Sequence, residues 1–197
     1  MSQYFENDSK VKSEQRLLRT SISGYNFDFY SDNGIFAKDG VDYGTRLLIE
    51  TFVSNSKCGK VLDVGSGIGV ISIVLAKVLN SKCDMVEIND RAIDLSLKNC
   101  KINHVENMVS CLKSDVYEKV NDKYDFIITN PPIRAGKKVV YRILMDAKNH
   151  LKENGELWFV MRKNHGLPSA RKDMEEVYSE FEIVNKDKGF FICRVRV

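Results

Sequence analysis

From about residue 60 onward, the apolar positions of the 197-residue chain fall into two alternating rhythms. Short apolar runs, "KVLDV" (60–64), "CDMVEI" (83–88), "MVSCLKS" (108–114), "YDFIIT" (124–129) and "ELWFVM" (156–161), have strand length and little polar alternation, as expected of strands covered on both faces. Longer stretches between them carry helical spacing. These are Ile68 to Leu79, "RAIDLSLKNCKIN" behind a cap at Asn89 or Asp90, and Tyr141 to Leu151, where Ile143, Leu144, Ala147 and Leu151 share a face and Gly155 reads as a stop. Pro168 opens a further helix, "SARKDMEEVYSEF", and "FEIVN" with "GFFICRVRV" closes the chain as a hairpin around "KDKG". Strands alternating with helices predict an α/β fold: a doubly wound, mostly parallel seven-stranded sheet with one antiparallel C-terminal strand at its edge.

The first 55 residues follow another pattern. "SISGYNFDFYSDNGIFA" alternates polar and apolar residues around the turn "SDNG" and predicts a hairpin, while "VDYGTRLLIETF" predicts a helix leading into the core. Residues 1–55 are expected to form a hairpin-and-helix cap belonging to the same domain as the core at 56–197.

Composition narrows the function classes only a little. Hydrophobic content of 43%, charged content of 29% and a net charge of +3 are those of an ordinary globular chain; the mild basicity allows a phosphate-rich partner without arguing for one. The five cysteines, at 58, 83, 100, 111 and 193, form no CxxC pair and sit mostly in apolar runs, which predicts reduced core thiols in a cytoplasmic protein. His104, His150 and His165 are far apart, so no metal-ligand spacing appears and no metal is expected. The polar start "MSQYFENDSK" and the lack of any long apolar run argue against secretion and membrane spanning.

Candidate chemistry gathers at predicted strand ends. "VLDVGSGIGVIS" puts Gly65, Gly67 and Gly69, with Ser66 between them, after a strand and at the start of a helix, where backbone can approach a ligand and the helix N-terminus favours negative charge. Glu87, followed by Ile88, ends the next strand 22 positions after Gly65, where a carboxylate can accept ribose hydroxyls. The GxGxG spacing, with Val70 in place of a later glycine, points away from a dinucleotide and towards S-adenosylmethionine. Asp63 would suit the amino group of its methionine part, and Asp115, after the third strand, its adenine amino group. Taken singly, a glycine triplet can be only a tight turn, Glu87 a solvated strand end and Asp115 a surface acid. Their order on successive strand ends is what carries the reading.

"TNPPIRAGKK" (129–138) ends the fourth strand with Asn130, Pro131 and Pro132. An exocyclic amine is a poor nucleophile because its lone pair is delocalised. Carbonyls of Asn130 and Pro131 accepting from the NH2 would orient it and favour a pyramidal nitrogen, and two prolines keep the loop stiff. Arg134, Lys137, Lys138, Arg162 and Lys163 follow the fourth and fifth strands and form a candidate RNA-facing rim, joined by Arg171 and Lys172 further on. Arg194 and Arg196 read as the wet face of the last strand, Trp158 and the phenylalanines of the last strand as core, and His165 is given no role.

These motifs carry a resemblance. "DVGSGIG", the acid in "MVEIND" and "NPPI" are similar to class I S-adenosylmethionine-dependent methyltransferases that modify amino nitrogens. With "GIFAKDGVDYGTRLLIE", "NPPIRAGK" and "GELWFVMRKNHGLPSARKDMEEVY", the chain resembles the small methyltransferase domain of RsmC-type 16S rRNA guanine-N2 methyltransferases over nearly its whole length. The resemblance implies a Rossmann-like methyltransferase core over 56–197, S-adenosylmethionine as cofactor, and ribosomal RNA or a small-subunit particle as partner. It also implies that the segment before the core closes over the methionine end of the cofactor, with Phe36 and Asp42 as candidates. Ile133 stands where many amino-methyltransferases have an aromatic residue that stacks on the target base. Glutamine in a protein and adenine N6 stay open as acceptors, as does a non-catalytic RNA-binding module with a retained cofactor pocket.

Overall fold

The computed structural model describes residues 12–33, 40–56 and 58–197, so Phe36 lies outside the described residues. The chain runs β1 (Arg16–Ile22), β2 (Tyr25–Ser31), α1 (Tyr43–Asn55), β3 (Lys60–Val64), α2 (Val70–Leu79), β4 (Lys82–Glu87), α3 (Asp90–Ile102), β5 (Val109–Lys113), β6 (Tyr124–Thr129), α4 (Lys137–Asp146), β7 (Leu151–Arg162), α5 (Leu167–Glu175), β8 (Glu180–Asp187) and β9 (Phe190–Arg196). Seven strands form one sheet in the order β5-β4-β3-β6-β7-β9-β8. All neighbours pair in parallel except those of β9, which is antiparallel to both β7 and β8. The C-terminal hairpin is at the sheet edge as expected, but the antiparallel strand is inserted one place inside it and β8 forms the rim.

Side-chain alternation along the strands builds two cores. Trp158 and Val160 of β7, with Ile128 of β6, face α1, α2 and α3. Leu157, Phe159 and Met161, with Ile127, face α4 and α5. Trp158 is fully buried, and its ring meets Phe52 of α1 edge-on at 5.2 Å. Its indole nitrogen donates to Glu156 at 2.8 Å, and Glu156 in turn accepts from Arg196 at 2.9 Å. Arg194 and Arg196 thus pair with Glu156 and with Glu182 and Glu180 of β8, and are not simply a solvated face.

Two turns differ from the sequence reading. The N-terminal hairpin turns at Ser23 and Gly24, both in the left-handed region (φ 50° and 81°), and not at "SDNG", whose Ser31 is the last residue of β2 and whose Gly34 lies outside the described residues. A two-residue turn with positive φ at both positions matches the twist of the flanking strands, and "SG" supplies it. The predicted helix at 141–151 begins earlier, at Lys137, and Leu151 already belongs to β7. Gly155 is no helix stop. It lies in a bulge where the β6–β7 register jumps from Tyr124↔Leu151 to Phe126↔Glu156, and a Cβ there would meet the Lys152 carbonyl at 2.9 Å.

The hairpin is fastened to the core by two buried asparagines one turn apart, Asn99 in α3 and Asn103 at its C-cap. Asn99 accepts from the Tyr30 amide (2.7 Å) and donates to the carbonyls of Tyr30 and Ile68, both at 3.0 Å. Asn103 does the same for Asp28, accepting at 3.2 Å and donating at 2.7 Å. The helix thereby satisfies the open edge of β2 through side chains, and Asn99 ties it to Ile68 in the glycine loop. Asn99→Ala would leave three backbone groups short of a partner. It is expected to cost about 2–4 kcal/mol in denaturant unfolding; a loss below about 0.5 kcal/mol would show that the hairpin does not depend on this tie.

Candidate active site

β3 pairs with β4 on one side and β6 on the other, so the chain's winding reverses between β3 and β6, and the loops at their C-terminal ends diverge. A cleft of about 700 Å³ opens there, lined by residues that follow β3, β4, β5, β6 and β7 and by the start of α1. Thr129 closes its floor by donating to the Val64 carbonyl at 2.8 Å.

The glycine loop forms one wall. Its first two amides, Gly65 and Ser66, both donate to the Val86 carbonyl. Gly67 has φ 55°, and a Cβ there would meet nothing within 4 Å, so the open space belongs to the cleft. Gly65, Ser66 and Gly67 line it; Gly69 does not. Gly69 instead packs against the sheet, where a Cβ would lie 3.1 Å from the Met85 sulfur. Asp63 is also off the wall. It is fully buried beneath the loop, with Oδ2 accepting from the Ser72 amide (3.3 Å) and hydroxyl (3.0 Å) and Oδ1 buried without a partner, so it supports the loop from behind the wall. Both residues of the expected cofactor set thus lie behind the cleft wall and do not line it.

Glu87 and Ile88 line the cleft as expected. The carboxylate is gripped by backbone: Oε1 accepts from the amides of Ile88 (2.8 Å) and Asn89 (3.0 Å), and Oε2 from Gly67 (2.9 Å). Asp115 lines the cleft too, paired with Arg142 at 3.1 Å. Asn130, Pro131, Pro132 and Ile133 form the wall at the end of β6, with the Pro132 ring 3.8 Å from where a Gly65 Cβ would be. Asn130 Nδ2 donates to Thr45 Oγ1 at 2.9 Å and lies 3.4 Å from each oxygen of Asp42. Asp42 lines the cleft while capping α1.

Of the basic residues, Arg134 and Arg162 line the mouth; Lys137, Lys138 and Lys163 are exposed beside it. Sequence reasoning missed Tyr43, Thr45 and Phe190. Phe190 of β9 is half-buried, packed against the core and also lining the mouth, with the Arg162 guanidinium 4.1 Å over its ring and Gly44 so close that a Cβ would meet the ring at 2.9 Å. His165 also reaches the cleft. The "DYGT" start of α1 held the available signal, since an Asp three residues before a Thr at a helix start is a capping pattern. Among the described residues no cluster could hold a metal ion, and no helix is long and apolar enough to cross a membrane.

A strand-end cleft at a switch point, with a glycine loop, a backbone-gripped acid on the next strand and an Asn-Pro-Pro turn across from them, defines a nucleotide-cofactor enzyme of the doubly wound class. The methyltransferase small domain family model matches residues 26–194. The chain is 40% identical to the uncharacterized protein YbxB of Bacillus subtilis (strain 168), over 98% of this chain and 97% of that one. It is 37% identical to ribosomal RNA small subunit methyltransferase C of Haemophilus influenzae (strain PittEE), over 87% of this chain and 52% of that one. The fold is similar to the T. thermophilus 16S rRNA N2 methyltransferase RsmC in complex with AdoMet and guanosine, with a TM-score of 0.84 at 23% identity, covering 94% of this chain and 51% of that one. The chain thus spans about half the length of the RsmC proteins it matches. It belongs to the methyltransferase small domain family, is similar to RsmC-type class I methyltransferases, and has S-adenosylmethionine as its cofactor.

Burial pushes the Asp63 carboxyl up from 3.8 to about 7, with the charge of Glu87 adding to the shift and the two Ser72 hydrogen bonds opposing it. The folded chain therefore binds more protons than the unfolded one between these values. The stability this group contributes is complete below about pH 4 and is lost as pH rises towards 7. Asp63→Asn is expected to remove that loss, so that its stability relative to the parent improves by a few kcal/mol, on the order of 2–4, between pH 4 and 8. Parallel denaturation curves for the two proteins across that range would refute a raised Asp63.

Proposed function

We propose that this chain transfers the methyl group of S-adenosylmethionine to the exocyclic N2 of a guanine in small-subunit ribosomal RNA, in the cytoplasm, acting on the RNA or a ribosomal small-subunit particle. The observation that carries the reading is the Asn130-Pro131-Pro132 turn standing across the cleft from the glycine loop. The similarity to the H. influenzae small-subunit enzyme points the same way.

The cleft fits the cofactor. Ser66 lines it, and Ser66 Oγ, like Asp63 Oδ1 beneath the loop, is buried without a partner, orphans whose pairing a bound ligand would complete. Val86, Ile88 and Val116 offer an apolar slot beside Asp115 for the adenine. When bound, the cofactor supplies an electrophilic methyl on a sulfonium. Glu87 would hold the ribose. A carboxylate has about four acceptor directions and three are taken by backbone amides, so a ribose diol must displace one of them, and Gly67, on the cleft side, is the one within reach. Asn130 and the Pro131 carbonyl would accept the two amine hydrogens, aim the nitrogen and stabilise its growing positive charge. Pro131 and Pro132 hold that geometry before the substrate arrives. Met161, Val160 and Ile133 line the acceptor side and exclude water.

The cationic rim supports an RNA substrate. Lys137 and Lys138 stand in the first turn of α4, where the helix dipole disfavours cations by about 0.3–1 kcal/mol each. A phosphate between them and Arg134 would reverse that cost.

Two measurements test the reading. Incubation with labelled S-adenosylmethionine and unmodified small-subunit rRNA, followed by nucleoside analysis, should give N2-methylguanosine. Label in N6-methyladenosine or protein glutamine instead would replace the proposed acceptor, and cofactor binding without transfer would favour a binding module. Glu87→Ala should weaken S-adenosylmethionine binding by about 1.5–3 kcal/mol in calorimetry. Unchanged affinity in the folded variant would remove Glu87 from the site.

A further inference from the structure

We infer that Asp42 and Thr45, at the first turn of α1, are positioning residues that decide which end of the Asn130 amide faces the acceptor. The inference rests on the reading of Asn130 as the group that accepts from the amine. An asparagine amide is nearly symmetric in shape, and only its hydrogen-bond partners decide where oxygen and nitrogen point.

Here the proton inventory leaves one arrangement. A carboxylate only accepts. Asp42 accepts from the Thr45 amide at 3.1 Å and from the Thr45 hydroxyl. The hydroxyl's single hydrogen is therefore committed, and towards Asn130 it can only accept. Both partners of Asn130 on this side are acceptors, so its NH2 must face them, as the 2.9 Å contact to Thr45 and the 3.4 Å approaches to Asp42 show. A turned amide would set its carbonyl oxygen against a carboxylate and a lone pair.

The consequence lies at the opposite end of the amide. With the nitrogen held by α1, the carbonyl is the end left for the cleft. A turned amide would meet an incoming NH2 with another NH2, donor against donor, and the clamp would repel what it is meant to hold. Asp42 does this while serving as the helix cap, in extended backbone conformation (φ −63°, ψ 152°). The acceptor directions of its carboxylate are engaged by Thr45 and Asn130, which argues against the cofactor's amino group as its main partner. The segment before the core thus contributes chemistry beyond covering the site.

The test uses Asp42→Asn, because asparagine caps a helix as well as aspartate does and keeps the same size. Its new NH2 would face Asn130 and turn that amide round. Single-turnover methyl transfer to small-subunit rRNA should fall ~10²-fold or more, as when one preorganised transition-state partner is lost, with S-adenosylmethionine affinity changed less than about threefold, roughly 0.6 kcal/mol. Thr45→Val should slow transfer similarly and Thr45→Ser should recover most of it. In an Asn130→Ala background, Asp42→Asn should add little. Without any substrate, the Asn130 side-chain NH2, observed by NMR, should be protected from exchange in the parent and lose that protection in Asp42→Asn. A near-parental rate in Asp42→Asn, or a loss of cofactor affinity that matches the loss of rate, would overturn the inference. If Asn130→Ala itself transfers at the parental rate, the reading of Asn130 fails and takes this one with it; if Asn130→Ala is slow while Asp42→Asn is fast, only the positioning role falls.

Discussion

The constraint on which the molecule turns is the reversal of winding at β3. With β4 on one side of it and β6 on the other, the loops leaving β3 and β6 diverge and cannot fill the space between them. The sheet's hydrogen bonds hold that space open, and Thr129 donating to the Val64 carbonyl pins the two strand ends together just below it. Three central groups sit on this edge: the glycine loop at the end of β3, Glu87 at the end of β4, Asn130 at the end of β6. None of these groups needs a long or flexible loop to reach the others, so little ordering remains to be done when a ligand arrives.

Contacts made by the N-terminal segment then complete what the strand ends begin. Asn99 and Asn103 hold β2 on α3, and Asn99 also holds the Ile68 carbonyl of the glycine loop. Asp42 and Thr45 hold the amide of Asn130 by direct contact. These ties join residues 12–33 and 40–55 to the seven-stranded sheet, and the start of α1 acts as a wall of the site. They also explain why Gly44 is a glycine: α1 approaches β9 so closely there that a Cβ would be 2.9 Å from the Phe190 ring.

Much of this was legible in the sequence, for physical reasons that also mark its limits. The parallel strands are buried on both faces, so their apolar runs stand out, and the glycine loop, Glu87 and Asn130 are each local to a strand end. The N-terminal turn was harder to read because the chain offers two turn signals, "SG" and "DNG", and only tertiary pairing chooses between them. Gly155 looked like a helix stop because a bulge and a helix end both use glycine. Asp63 and Gly69 belong to the right motif, but their side of it faces the core; spacing alone does not tell the front of a loop from its back. The contact between Asp42 and Asn130 spans 88 positions and leaves no periodic trace. Phe190 hides in an apolar strand whose register against β7 decides that it reaches the mouth opposite Arg162.

The central claim is that Asn130 accepts from the amine undergoing methylation. It is tested most directly by comparing Asn130→Ala and Asn130→Asp in single-turnover transfer to small-subunit rRNA, with cofactor and RNA affinities measured separately. The account predicts that both variants bind S-adenosylmethionine as the parent does, that the alanine variant is slowed ~10²–10³-fold, and that the aspartate variant, which keeps an acceptor, retains part of the rate. Equal losses of rate and RNA affinity in both variants would make Asn130 a structural turn residue and contradict the claim.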